Sequence, residues 1–259
     1  KLLDWLGERL AFGEIVYRYA PAYQVDSAKA WLHVFAFVHD LLRVGLASGE
    51  PVVREPYLGR SAYLTPHRLT EGWLHTNNSC NLTCTHCLVN SSPSGDRGLP
   101  TAQLMRLIDQ MAELGVERFY VTGGEPFVRR DIFELIRRIT EVEHAELIIL
   151  TNATLFRGEI LKQLEACDRT LLKLQVSVDG ASPATNDPIR GAGSFEAATD
   201  GLQRASALGF DTSLTTAVTG TNVQELSRLT ELAKSLGAKA QHLMWLHKRG
   251  RVVEETNGF

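Results

Sequence analysis

From about residue 71 onward, short strand-like runs alternate with stretches of helical spacing, six runs with five helical stretches between them. The strand-like runs fall at 73–76, 118–122, 146–151, 172–178, 212–218 and 240–246. Helical patterns open at Pro100-Thr101, Asp131, Gly158, Ser194 and Asn222; the last is read as the cap of a helix ending at Gly237. The first helix aligns Leu104, Leu107, Ile108, Met111 and Leu114 and is closed by Gly115, and the second turns Ile132, Leu135, Ile136 and Ile139 inward. The run 146–151 is continuously apolar, the kind of strand buried on both faces. Strands joined in sequence by helices imply a parallel α/β sheet with right-handed crossovers. Periodicity does not say whether such a sheet closes.

Residues 1–69 lack that alternation and read as a mainly helical appendage, leaving 70–259 as the core domain. Within the appendage, Leu32, Phe35, Val38, Leu41, Leu42 and Leu46 recur at helical spacing. His33, His39, Asp40 and Arg43 interrupt this stretch, which is also shorter than the roughly 20 residues a bilayer span needs. It is expected to be an amphipathic helix packing on the core domain and stopped by Gly49-Glu50-Pro51. The appendage carries Trp5, Phe12, Tyr17, Tyr19 and Tyr23 but no catalytic constellation, which suits packing or partner recognition. Hydrophobic content of 44% against 22% charged residues is that of a soluble globular protein, and no secretory signal is visible. A net charge of −3 without a basic arm gives no reason to expect nucleic acid. A cytoplasmic protein without a membrane partner is expected.

Chemistry concentrates in the loop after the first strand, Cys80-Asn81-Leu82-Thr83-Cys84-Thr85-His86-Cys87. Thiolates are soft ligands that favour iron–sulfur clusters, zinc or Cu(I). A structural zinc site normally fills four positions, and no second C-x2-C pair follows here. Three cysteines on a [4Fe-4S] cluster leave one iron open to a small molecule. The fourth cysteine, Cys167, stands alone at the end of a helical segment and reads as a buried hydrophobe.

The C-x3-C-x2-C spacing resembles the radical S-adenosylmethionine (radical SAM) superfamily. Further landmarks follow in that family's order: Gly123-Gly124-Glu125-Pro126, Thr151-Asn152-Ala153-Thr154, Ser177-Val178-Asp179-Gly180 and Asp187-Pro188-Ile189-Arg190-Gly191. The match covers about residues 72–246 and resembles the branch of peptide maturases, sulfatase-maturing enzymes and PQQ, heme d1 and molybdenum-cofactor synthesis enzymes. All the landmarks sit at or just after strand C-terminal ends, where parallel α/β folds place their sites.

The resemblance implies a partial (β/α)6 TIM-like barrel with Cys80, Cys84 and Cys87 holding a [4Fe-4S] cluster. SAM would chelate the open iron and be cleaved reductively to a 5′-deoxyadenosyl radical, with electrons from a donor such as flavodoxin or ferredoxin. Gly123 and Gly124 would contact the SAM amino group, and Arg190 would pair with its carboxylate through a fork that Lys lacks. Gln175, Ser177 and Asp179 share one strand face; Ser177 would bind SAM, while Asp179 would bind SAM or order the neighbouring loop. Glu125 holds either its loop or the substrate side. Asn152 belongs to a loop where Ala153 replaces the frequent glycine, so a glycine-dependent angle is expected to relax. His86 fills a slot commonly aromatic, near the adenine, and Val218 resembles the apolar residue packing on adenine. Asn186 stands where the family often has His.

Substrate identity is not legible. A peptide, small protein or cofactor precursor fits the branch, whose members often carry a cysteine-rich C-terminal extension with auxiliary clusters; the C-terminal end is expected to be truncated at Phe259, and the presence of auxiliary clusters is not legible. Lys248, Arg249 and Arg251 read as a solvated basic loop, with contact to an acidic substrate group as the other reading. The alternatives to radical chemistry are a zinc or iron–sulfur structural module, and a thiol redox protein.

Overall fold

The computed structural model describes residues 1–49, 59–60 and 68–253. Glu50 and Pro51 of the expected helix stop, and the segment up to Phe259, lie outside the described residues. The chain divides into two compact units, Lys1–Thr65 and Pro66–Phe259.

In the first unit, α1 (Leu2–Gly7), α2 (Phe12–Ala22) and α3 (Ser27–Arg43) form a small helical cluster. Asp26 caps α3 by accepting from Lys29 N at 2.8 Å. Its own core uses Ile15, Val16, Ala30 and Val34, joined by Val38. Of the stripe read from the sequence, only Val38 belongs to this cluster.

The second unit is a six-stranded parallel sheet in sequence order: β1 (Glu71–His75), β2 (Arg118–Thr122), β3 (Glu146–Thr151), β4 (Leu172–Ser177), β5 (Asp211–Val218) and β6 (Ala240–Trp245). Among the described residues β1 and β6 do not pair, so the sheet is open, as a partial barrel requires. Helices α4 (Thr101–Glu113), α5 (Ile132–Arg137), α6 (Gly158–Glu165), α8 (Ser194–Ala207) and α9 (Leu226–Ser235) supply the crossovers. Their apolar faces pack on Phe119, Val121, Leu147, Ile149, Leu174, Val176 and Leu214 in one continuous core. Within α4 only Leu104 and Ile108 are fully buried, and Leu114 is exposed.

The opposite sheet face is wetter. β3 alternates half-buried and buried residues, so it is not covered on both faces as its composition suggested. Ile148 and Leu150 line the open side, and a charge ladder runs across the strand starts from Glu71 through Arg118 and Glu146 to Lys173. Above it Trp73 stacks on Tyr120 with ring centroids 4.1 Å apart.

Two elements differ from the sequence reading. A short helix, α7 (Pro183–Arg190), precedes α8; Ser182 at its N-cap and Pro183 at its first position are a start signal that the sequence reading passed over. Asn222 does not cap α9: its side chain accepts from Thr219 N and donates to the carbonyls of Asp179 and Ala217, tying strand ends together.

Candidate active site

The loop after β1 and the C-terminal ends of β2 to β6 enclose a pocket of about 230 Å³. Cys80, Cys84, His86, Cys87, Gly123, Gly124, Asn152, Ser177 and Arg190 all line it. Glu125, Asp179 and Val218 do not.

Ordinary peptide geometry surrounds the thiols. Leu82 N–H points at Cys80 Sγ (3.4 Å) and Ser91 N–H at Cys87 Sγ (3.2 Å), while the Asn152 amide approaches Cys80 Sγ at 3.8 Å. Burial pushes the Cys80 thiol up to about 11 and raises Cys84, against the lowering pull of the Arg190 charge on Cys84. Thiolates here therefore need positive charge, which a cluster core supplies. Among the described residues no three His, Cys, Asp or Glu side chains converge where a single metal ion would sit. The three cysteines line one shared pocket, and their soft thiols are a donor set that fits an iron–sulfur cluster.

The glycine loop serves packing as well as access. A Cβ on Gly123 would lie 2.3 Å from Asn77 O, and one on Gly124 2.2 Å from Ser79 O. The glycines thus let the loop after β2 press against the strand-to-cysteine connection. Gly124 N donates to Asn77 O (2.8 Å) and Glu125 N to Ser79 O (2.9 Å). Asn77, a residue the sequence did not single out, returns its amide to the carbonyls of Ser79 and Glu125.

Glu125 points away from the pocket. Its carboxylate, 1% exposed, accepts from Phe127 N (3.1 Å), Thr151 Oγ1 (2.8 Å) and Asn152 N (2.7 Å). It holds the loops after β2 and β3 together. The expected relaxation at Ala153 does not occur: the alanine keeps a positive φ of 55°. Hydrogen bonds from Ala153 N and Thr154 N to the side chains of Thr151 and Asn152 enforce that backbone.

Asp179 is fully buried and is the knot of the opposite wall. Its Oδ1 accepts from Ala217 N (2.8 Å), and Oδ2 lies 2.7 Å from His86 Nε2 and 2.6 Å from Arg190 Nε. Burial opposes its charge, but the Arg190 guanidinium and His86 hold its carboxyl well below the usual carboxylate range. Asn186 takes part too, accepting from Asp179 N at 2.9 Å. Five buried side-chain polar atoms among the described residues lack a hydrogen-bond partner, and three belong to this knot: His86 Nδ1, Asp179 Oδ2 and Arg190 Nε. The Asp179 and Arg190 charges touch, but out of line for a hydrogen bond. Asp179 Oδ2 and Arg190 Nε thus answer each other as charges, whereas His86 Nδ1 has no partner among the described residues and lies beside the thiol-lined pocket, which fits a hydrogen-bonding cofactor.

Val218, like Glu125 and Asp179, is outside the pocket lining. Successive strand residues point oppositely, and Ala217 is the β5 residue that reaches the pocket. Met244, Trp245, Leu246 and His247 complete the lining; the sequence reading took 240–246 only as a strand and assigned none of the four to the site. Lys248 and Arg249 are exposed, as the solvated-loop reading has it. Arg251 is not: it turns back onto the cysteine loop.

A family model described as the Radical SAM superfamily matches residues 74–233, more than half the chain. The chain belongs to the radical SAM superfamily. It is 36% identical over 176 residues to an AdoMet-dependent heme synthase of Methanosarcina barkeri, covering 66% of this chain and 49% of that protein. It is 37% identical over 161 residues to the mycofactocin maturase MftC of Mycolicibacterium smegmatis, covering 62% of this chain and 40% of that protein. The chain thus spans about half, or less, of the length of these radical SAM relatives. Streptococcus suis SuiB bound to its precursor peptide SuiA shares the fold with a TM-score of 0.63 at 14% identity, over 86% of this chain and 45% of that one. No helix among the described residues is long and apolar enough to cross a membrane.

Proposed function

We propose that this chain is a radical SAM enzyme acting on a peptide or cofactor-precursor substrate. The carrying observation is the conjunction of three pocket-lining cysteines with half-buried Ser177 at the end of β4 and Arg190 at the end of α7, all lining one pocket. Cys80, Cys84 and Cys87 would hold a [4Fe-4S] cluster, and Gly123, Gly124, Asn152, Ser177, His86 and Arg190 would surround SAM. When bound, that pair supplies reductive cleavage of the sulfonium to a 5′-deoxyadenosyl radical, which abstracts a substrate hydrogen.

The residues of the chain bind and orient. Arg190, whose Nη groups make no hydrogen bond among the described residues, suits the methionine carboxylate. Asp179 positions Arg190 and His86, and Glu125 positions the loops bearing Gly124 and Asn152. Ala217 takes the adenine-packing place expected of Val218. A low-potential donor such as flavodoxin or ferredoxin would deliver the electron. The peptide-maturase name of one relative and the peptide complex of one structural neighbour support a peptide substrate, and the heme synthase supports a cofactor precursor.

Anaerobic reconstitution tests the reading: about four irons and four sulfides per chain are expected, together with saturable SAM binding that the unloaded protein lacks. Stoichiometric zinc with no affinity for SAM would overturn it.

A further inference from the structure

The segment after β6 does not leave the molecule. Arg251 Nη1 donates to the Cys84 carbonyl, Nη2 donates to the Ser91 carbonyl, and Arg251 N donates to Cys87 O at 3.1 Å. One residue therefore grips the cysteine loop at three carbonyls. Gly250 makes the grip possible: its φ is +63°, and a Cβ there would lie 2.1 Å from Cys87 O and 2.5 Å from Leu88 O. Val252, 6% exposed, anchors the following turn. Among the described residues no carboxylate pairs with Arg251, and its guanidinium is met by the carbonyls of Cys84 and Ser91.

We propose that Arg251 is a positioning residue for the cluster: its fork clamps the Cys84–Ser91 loop in the shape that presents the thiols, and its charge favours the reduced cluster. The inference rests on the cluster reading above. A loop of this kind has carbonyls and N–H groups competing to face the sulfurs. Arg251 engages the carbonyls of Cys84, Cys87 and Ser91, so they are not free to face the sulfurs, while Ser91 N–H stays on Cys87 Sγ. A guanidinium spans two carbonyls at once, which an ammonium does not. Three thiolates outweigh the core charge of an oxidised [4Fe-4S] cluster, and reduction adds a further negative charge. A nearby cation therefore stabilises the reduced form more, and removing it moves the potential in the negative direction. The exit from β6 thereby becomes part of the cluster site, although it lies some 160 residues along the chain from Ser91.

The test compares Arg251→Gln, Arg251→Lys and Gly250→Ala with the parent chain after anaerobic reconstitution. Two properties are read: the midpoint potential of the cluster, and the rate of iron loss to a chelator. Arg251→Gln is expected to have a more negative potential and roughly tenfold faster iron loss, the scale of lost outer-shell support. Arg251→Lys should keep a near-parental potential yet lose iron faster, separating the fork from the charge. Gly250→Ala should lose iron faster because the clasp no longer seats. Parental potential and iron retention in Arg251→Gln would overturn the proposal. Should that variant fail to fold, parental iron retention in both Arg251→Lys and Gly250→Ala would overturn it equally. A parent chain that takes up no iron would overturn the cluster reading and this inference with it, whereas a loaded parent indifferent to all three changes would overturn this inference alone.

Discussion

Glu125 places a carboxylate in the driest part of the site. Burial pushes its carboxyl up to about 7 from an ordinary 4.5, against N–H donation from Asn152 and Phe127 and the Thr151 hydroxyl. The folded state thus holds this proton more tightly than the unfolded chain. Its contribution to stability is therefore greatest at low pH, declines as pH rises from about 4.5 to 7, and is flat above; the full swing is on the order of 3 kcal/mol. Glu125→Gln should remove that decline, so urea unfolding of variant and parent at about pH 5 and pH 8 should diverge in slope. Parallel profiles would contradict the assignment. Arg190→Lys keeps the charge but loses the fork, and SAM binding should weaken by about 1.5–3 kcal/mol at unchanged iron content; unchanged affinity would return Arg190 to a purely structural pairing with Asp179. The sequence made the identity of these residues legible but not their direction. Whether Glu125 faces a ligand or a neighbouring loop depends on where β3 lies, and one residue of strand alternation decides between Ala217 and Val218.

At the scale of elements, strand positions were legible to within a residue or two because apolar runs between glycines and helix starts leave little freedom. What escaped were α7 and the role of Asn222, both short polar segments whose conformation is set by partners distant in sequence. Two contacts around α8 show how such partners act. Gly201 lets the helix meet the Ala153 loop: a Cβ there would lie 2.2 Å from Ala153 O, with backbone on the other side. Gly201→Ala should cost roughly 1–3 kcal/mol in denaturant unfolding and loosen the Asn152 loop; an unperturbed variant would show that the helix is free to retreat. Asp187 caps the same helix, accepting from Gly193 N (2.7 Å) and Phe195 N (2.9 Å). Despite opposing burial, these donors lower its pKa. The folded value lies below the unfolded one, so the stabilisation is present above the ordinary aspartate range and lost as pH falls through the folded value. Asp187→Ala should cost about 1 kcal/mol at neutral pH and less in acid, which thermal unfolding across that range would reveal.

The whole molecule joins a helical unit with its own core to an open six-stranded sheet carrying every candidate cofactor residue. That the sheet is parallel was legible from alternation; that it stays open was not, since closure depends on strand tilt and register, not on periodicity. The division of labour predicts that removing residues 1–60 impairs substrate turnover or solubility while leaving uncoupled SAM cleavage. Loss of cluster loading in a soluble, folded truncation would show that the first unit helps build the site. Cys167 offers the matching control: it is 9% exposed within the core, its Sγ donating to Gln163 O at 3.4 Å, far from the other thiols in its contacts. The central claim is tested most directly by 5′-deoxyadenosine formation from SAM in the anaerobic, reduced, reconstituted chain. Formation is predicted for the parent and for Cys167→Ala, and its abolition for Cys80→Ala, Cys84→Ala and Cys87→Ala. A fully loaded parent that leaves SAM intact, or cleavage that survives loss of any of those three thiols, would contradict the account.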